Sequence, residues 1–407
     1  MAERNKDESL LNRQTVLLLF LYRSACFALI PYFNKKAAGS KGLRLFFAFR
    51  PPAFKLSEKE MAMKQTFDVN VEKFKPLISP SAIKKELPVS DEIAAIVISG
   101  RKDVENILLK KDKRLLIISG PCSIHDTEAA MEYAGKLNAL RNEVKDKINL
   151  IMRVYFEKPR TTIGWKGLIN DPFLDSTYNM DQGLKKARAL LIDINAMGLP
   201  TATELLDPIT PQYIAGLLTW VAIGARTTES QTHREMASGL SMPVGFKNST
   251  DGSLDSAINA LTAAGAPQHF LGIDPDGYTS VVCTKGNSFG HIVLRGGPNP
   301  NYDPVSVSRA RDKLAEKNLM DAVMIDCSHD NSGQKHKGQS FVFKSVLDQR
   351  LDGNPNIIGM MLESNLFEGN QQCANNCNKL KYGVSITDEC VSWATTENLI
   401  RCAYDRL

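Results

Sequence analysis

Three cations crowd one short window of the chain, Ile151–Gly167 (IMRVYFEKPRTTIGWKG): Arg153, Lys158 and Arg160. The apolar and aromatic run from Ile148 to Phe156 predicts a buried strand. An arginine cannot shed its charge, so burying one is costly unless an anion lies beside it. A strand carrying Arg153, with a basic loop at its carboxyl end, therefore suits a phosphorylated or carboxylated small molecule. An edge strand with a solvated basic loop would use the same letters, and the rest of the chain must decide. Comparable side chains recur after other apolar runs: Cys122, Glu204, Arg226, Lys247, Arg295, His329 and Glu363, with Asp388 in the last loop. They sort into two chemistries. Arg153, Lys158, Arg226, Lys247 and Arg295 form an anion cradle, the arginines being suited to bidentate recognition of phosphate or carboxylate. Cys122, His329, Glu363 and Asp388 offer a thiolate, an imidazole and two carboxylates able to hold a divalent metal. Taken singly, a Cys after Gly-Pro or a lone His is an ordinary packing residue. The other histidines, His125, His233, His269, His291 and His336, read as structural, with His125 close enough to Cys122 to support it.

The elements that must position these residues repeat. Apolar runs at Leu115–Ser119, Ile148–Phe156, Pro200–Leu206, Trp220–Gly224, Pro243–Lys247, His291–Leu294, Ala322–Asp326 and Ile357–Leu362 each end in a polar or glycine cluster. Between them run helical stretches at Thr127–Glu143, Asp181–Met197, Ser253–Ala264 and Ser306–Lys317, with Asn398–Leu407 last, and a further helix over Val89–Lys110 precedes the series. This alternation predicts an α/β fold, a (β/α)8 TIM barrel with an N-terminal helical extension, whose carboxyl-end rim collects the residues named above. An open doubly wound sheet is the runner-up, but no GxGxxG turn opens a first helix. Gln268–Lys285 is extra and predicts an inserted β-hairpin between the fifth and sixth barrel strands.

Composition sets limits on function. The chain has 407 residues, 43% of them hydrophobic, enough for a large core. Residues 1–60 hold 11 Lys/Arg and 5 Asp/Glu; the rest holds 39 and 40, so the body is nearly neutral. That speaks against a nucleic-acid partner, which would call for a basic face. The eight cysteines follow no disulfide spacing, as expected of a reducing, cytoplasmic setting. Cys373 and Cys377 lack a second pair for a zinc site and read as structural. The apolar segment Thr15–Phe33 is broken by Arg23 and short for a membrane span. Residues 1–60 are expected to be a disordered or targeting appendage, leaving an organellar or membrane-associated location as the alternative. Met61 or Met63 could serve as another start, and residues 61–407 form the expected catalytic domain.

Eight strings resemble one family: GPCSIHD (120–126), MRVYFEKPRTT (152–162), GWKGLINDP (164–172), GARTTESQTHRE (224–235), PVGFKN (243–248), VLRGG (293–297), MIDCSHDNS (324–332) and SITDEC (385–390). They are similar to the type I 3-deoxy-D-arabino-heptulosonate 7-phosphate (DAHP) synthases, metal-dependent enzymes that open the shikimate pathway. The resemblance runs from about Phe67 to the carboxyl terminus. It implies a metal (manganese, iron, cobalt or zinc) on Cys122, His329, Glu363 and Asp388. It implies phosphoenolpyruvate on Arg153, Lys158, Arg226, Lys247 and Arg295, with Arg160 and Thr161 taking the phosphate of erythrose 4-phosphate. Catalysis would fall to Lys158, Arg153, Cys122 and His329, with Lys158 handling a proton.

The resemblance further implies feedback by an aromatic amino acid at Pro211, Gln212, Ser241, Phe270 and Gly272, the glycine favouring tyrosine as effector, and a homodimer or homotetramer. Asn365 and Ala394 depart from the family's usual histidine and acidic residue, neither at a proposed ligand. A synthase using arabinose 5-phosphate is the rival reading, disfavoured by the KPRTT and GARTTES strings. A catalytically silent relative would have lost a ligand or a substrate arginine, and none is missing.

Overall fold

In the computed structural model, eight parallel strands close on themselves. They are β1 (Leu115–Gly120), β2 (Ile148–Arg153), β3 (Thr201–Glu204), β4 (Trp220–Ile223), β5 (Val244–Lys247), β8 (Gly290–Leu294), β9 (Val323–Asp326) and β10 (Ile357–Asn365). They pair in that order, and β10 returns to β1 to close a barrel. The structure describes residues 66–372 and 380–407; the amino-terminal segment and the Cys373/Cys377 pair lie outside them. Residues Phe74–Leu407 form one compact unit.

Alternation along each strand separates two cores. Leu116 and Ile118 of β1 turn into the barrel with Ile151, Tyr155, Ala202, Trp220, Ala222, Val293, Met324 and Met361. Leu115 and Ile117 turn outward to the helices. Strands covered on both faces need apolar side chains on both, which is why these runs are nearly continuous. α2 (Asp91–Leu108) contributes Val104, Ile107 and Leu108 to the inner core. It plugs one end of the barrel and leaves the other to the site. α1 (Pro80–Glu86) precedes it.

The outer ring comprises α3 (Thr127–Val144), α4 (Met180–Ala196), α5 (Pro211–Ile214), α6 (Gln231–Ser238), α7 (Asp255–Gly265), α8 (Pro304–Glu316), α9 (His336–Leu351) and α10 (Trp393–Arg406). Asp126, Asn179, Asp303 and Ser392 cap the starts of α3, α4, α8 and α10 with side-chain oxygens, satisfying amide donors that have no partner inside the helix. The hairpin is present: β6 (His269–Ile273) pairs antiparallel with β7 (Thr279–Cys283). Among the described residues no helix is long and apolar enough to cross a membrane.

Three details differ from the expected elements. The β2 ladder ends at Arg153 rather than Phe156, because the buried chain beyond it bonds to the next strand and loop, Val154 N to Ala202 O and Lys158 N to Lys166 O. β10 runs past Leu362 to Asn365, where Ser364 and Asn365 pair with β11 (Val391–Ser392). The last helix starts at Trp393, five residues before the expected Asn398, at its Ser392 cap.

Candidate active site

Gly120 ends β1 against the backbone of Arg153, where a Cβ would come within 2.3 Å of the Arg153 carbonyl oxygen. This close approach sets the Gly-Pro-Cys turn directly over the end of β2. Cys122 is fully buried there, its Sγ 3.0 Å from Lys158 Nζ, 3.0 Å from Thr387 Oγ1 and 3.3 Å from Asp388 Oδ2. Burial, seconded by Glu363, pushes its thiol up to about 12. The sulfur and one carboxylate oxygen each from Glu363 and Asp388 lie within 4.8 Å of one another.

Glu363 is inaccessible on β10. Its Oε1 receives Arg153 Nη2 at 2.7 Å and its Oε2 receives Ser328 Oγ at 2.7 Å. Burial raises its carboxyl, but His329, Arg153 and Lys158 outweigh that and hold it below the ordinary range. Asp388 is exposed at the rim, and Lys158 foremost keeps it ionised. His329 sits outside the tight thiol–carboxylate group but beside it, its Nε2 3.8 Å from Glu363 Oε1 and its Nδ1 2.8 Å from Asp326 Oδ2. A thiol, two carboxylates and an imidazole drawn from four segments match a divalent-metal donor set.

Around these groups lies a cavity of about 270 Å³ lined by Lys158, Arg160, Thr161, Glu204, Arg226, Lys247, Arg295, His329 and Asp388. Lys247 is buried at the end of β5, with Nζ 2.9 Å from Asp326 Oδ2. Arg295, one residue beyond β8, pairs with Asp330. Arg226, Arg160 and Thr161 are exposed. Lys158 is buried, yet Cys122, Asp388 and Glu363 outweigh desolvation and raise its pKa, fixing its charge.

Arg153 is placed differently from the other cations. It lies under the cavity floor at 0% exposure, donating to Pro121 O, Cys122 O, Met361 Sδ and Glu363, with its guanidinium 3.4 Å from the Tyr155 ring centre. The anion that balances it is therefore the protein's own Glu363. A second hollow of about 730 Å³ adjoins the first through Arg160, Ile163 and Asp388, and includes Trp165, Tyr178 and Asn370.

The five effector candidates lie on three segments. Pro211 and Gln212 open α5, Ser241 is exposed just before β5, and Phe270 and Gly272 occupy the half-buried face of β6. Residues 78–81 bridge two of these segments: Tyr213 Oη donates to Ile78 O at 2.7 Å, and Ser81 N donates to Pro275 O at the hairpin turn at 2.7 Å.

Four residues that shape the site were not singled out by sequence reasoning. Asp326 ends β9 and holds Lys247 and His329; burial raises its carboxyl, but those two partners carry it well below the usual range. Ser328 bonds Glu363, and Asp330 pairs with Arg295. Glu157 is buried beside Lys158, accepting from Thr210 Oγ1 at 3.1 Å. Burial, seconded by Asp207, raises its carboxyl to about 8. The signal for Asp326 in the sequence is an acidic residue at a strand's carboxyl end, closing the apolar run Ala322–Asp326.

The profile of the DAHP synthetase I family matches residues 87–401. Over 325 residues the chain is 52% identical to the Tyr-sensitive phospho-2-dehydro-3-deoxyheptonate aldolase of Escherichia coli (strain K12), covering 80% of this chain and 91% of that protein. The Phe-sensitive enzyme of the same organism is 51% identical over 337 residues, covering 83% and 96%. Among solved structures, phospho-2-dehydro-3-deoxyheptonate aldolase from Francisella tularensis SCHU S4 superposes with a TM-score of 0.81 at 47% identity, covering 83% of this chain and 98% of that one.

Proposed function

The chain belongs to the DAHP synthetase I family, and from that premise we propose that it condenses phosphoenolpyruvate with D-erythrose 4-phosphate and water, giving DAHP and phosphate. The observation that carries this reading is the cavity itself, where Lys158, Arg226, Lys247 and Arg295 face one space beside Cys122, Glu363 and Asp388. Four cations match the phosphate and carboxylate of phosphoenolpyruvate, which would otherwise repel a second phosphorylated substrate. Holding both reactants in line converts an encounter in water into a near-attack arrangement.

Arg160 and Thr161, exposed on the loop between the two hollows, receive the phosphate of erythrose 4-phosphate. Arg153 acts from below, orienting Glu363 and, through the Pro121 and Cys122 carbonyls, the turn that carries the thiol. Cys122, His329, Glu363 and Asp388 would hold a divalent metal (manganese, iron, cobalt or zinc), which would supply Lewis acidity for activating a carbonyl. The methylene carbon of phosphoenolpyruvate bonds to the aldehyde carbon, and water adds to the neighbouring carbon. Phosphate then departs with the electrons of the carbon–oxygen bond. Lys158, held protonated by its neighbours, hands a proton to the aldehyde oxygen as it becomes the new hydroxyl; the entering water returns one proton to Lys158 and its second leaves with the phosphate.

The test is phosphate release by the full chain with both substrates, with and without chelator. Release that requires both substrates, stops with chelator and returns with manganese supports the reading. Release with arabinose 5-phosphate in place of erythrose 4-phosphate refutes the acceptor assignment, and no release with any added metal leaves a silent relative.

Feedback by an aromatic amino acid acts at Pro211, Gln212, Ser241, Phe270 and Gly272, with tyrosine as effector. A Cβ at Gly272 would come within 2.8 Å of Val282 Cγ2 across the hairpin, so a serine there reshapes this face. Stronger inhibition by phenylalanine than by tyrosine, each added alone, contradicts the assignment. Exposed Leu271, Tyr278 and Val281 on the hairpin suit a homodimer or homotetramer, which sedimentation would measure. The catalytic unit works in the cytoplasm, and residues 1–60 are an appendage to it.

A further inference from the structure

We propose that Asp326 is the positioning residue that presents His329 to the metal and anchors Lys247 to the same point, so that the metal-ligating and anion-binding halves of the cavity share one carboxylate. The inference rests on the reading of His329 as a ligand and goes a step beyond it.

Asp326 is fully buried at the carboxyl end of β9, and both of its oxygens are engaged. Oδ1 accepts the backbone N–H of Ser328 at 3.0 Å, which fixes the turn leaving the strand. Oδ2 accepts from Lys247 Nζ at 2.9 Å and stands 2.8 Å from His329 Nδ1, an ion-pair distance at which the ring nitrogen does not yet make an aligned hydrogen bond. His329 itself has φ +53°, a left-handed conformation that a non-glycine residue holds only where its surroundings enforce it. The Asp326–Ser328 bond is one such constraint, one residue before the strained position. The same turn points the Ser328 hydroxyl at Glu363 Oε2.

The ring follows from the carboxylate. A small turn of the ring that brings an Nδ1–H onto Oδ2 would hold the imidazole proton there and leave the Nε2 lone pair free for a metal. Nε2 faces the thiol–carboxylate group, 3.8 Å from Glu363 Oε1. An imidazole oriented this way by a carboxylate is a stronger and better-aimed metal donor, and losing such a partner typically weakens metal affinity about 10–100-fold. On its other side Asp326 is the one acidic partner within ion-pair distance of Lys247 among the described residues. Without it the lysine loses its anchor on the cavity wall. One substitution should therefore damage two binding events that share no ligand, whereas removing Lys247 should damage only one.

The test is cobalt(II) titration of the chelator-stripped full chain, read by the near-ultraviolet charge-transfer band of a cobalt–thiolate bond, together with phosphoenolpyruvate binding by calorimetry. Asp326→Asn is expected to weaken cobalt about 10–100-fold and to weaken phosphoenolpyruvate as well. Lys247→Met is expected to weaken phosphoenolpyruvate and leave the cobalt affinity unchanged. Parent-like cobalt affinity in Asp326→Asn overturns the proposal. A parent chain that takes up no cobalt, or takes it up without a thiolate band, overturns the metal reading underneath it.

Should Asp326→Asn fail to fold, the unaltered chain gives the answer. In chelator-stripped protein labelled with 15N-histidine, neutral His329 should carry its proton on Nδ1, and a proton on Nε2 overturns the proposal.

Discussion

Replacing Arg153 with methionine removes the cation beneath the active site and keeps most of its bulk. Arg153 and Glu363 are both at 0% exposure and 2.7 Å apart. Breaking such a buried pair from one side costs about 3–5 kcal/mol, because the surviving charge stays desolvated. Here the survivor is Glu363, left with Ser328 and His329. The Pro121 and Cys122 carbonyls lose their donors at the same time. These losses fall on one connected cluster, so they overlap rather than add. In urea unfolding of the chelator-treated full chain, Arg153→Met should lose about 3–5 kcal/mol. The double change Arg153→Met with Glu363→Gln should recover much of that, since no unpaired charge remains. Added cobalt, by giving Glu363 a countercharge, should raise the unfolding midpoint of the single variant more than that of the parent. The reasoning is refuted if the single variant loses less than about 1 kcal/mol, the scale of an exposed pair, or if the double variant is as unstable as the two single changes summed.

Two further substitutions probe what flanks the site. Glu157, raised to about 8, stands above an unfolded glutamate near about 4.3; its contribution is therefore present below that value and lost as pH rises through about 8. Melting temperatures from about pH 5 to about pH 9 should fall more steeply for the parent than for Glu157→Gln, which cannot ionise, and parallel curves would contradict the assignment. Gly120→Ala would set a methyl 2.3 Å from Arg153 O and 3.1 Å from Arg153 N. Backbone at that distance can yield only by moving β1 from β2, at a cost of about 1–3 kcal/mol. An unchanged melt would show that the two strands are not held as close as described.

The barrel was legible because a parallel strand buried on both faces leaves an almost unbroken apolar run, and all eight runs appeared in order. Helices were legible where their spacing was clean and missed where it was diluted. α9 places Gln339, Val342, Phe343, Val346 and Leu347 on its buried side, a helical spacing, but polar Gln339 opens it and Gly338 stands just before. The charged rim was legible because a barrel gathers its strand ends at one place.

What each rim residue touches was not legible. Arg153 and Arg226 are the same letter at the carboxyl ends of β2 and β4, yet one is clamped beneath the floor and the other is exposed in the cavity. The difference lies in Glu363, 210 positions along the chain from Arg153. Likewise the link from Lys247 to Asp326 spans 79 positions, and no local spacing encodes it. Such pairings decide the chemistry because they choose which charges are already balanced within the protein. Arg153 and Glu363 are balanced by each other. Arg226 and Arg160 are in no ion pair among the described residues, which leaves their whole charge for a substrate, while Lys158, Lys247 and Arg295 face the same cavity with their charge shared with Asp388, Asp326 and Asp330. A cavity that balanced every cation internally would have no call for an anion, whereas this one balances its floor and leaves part of its rim open.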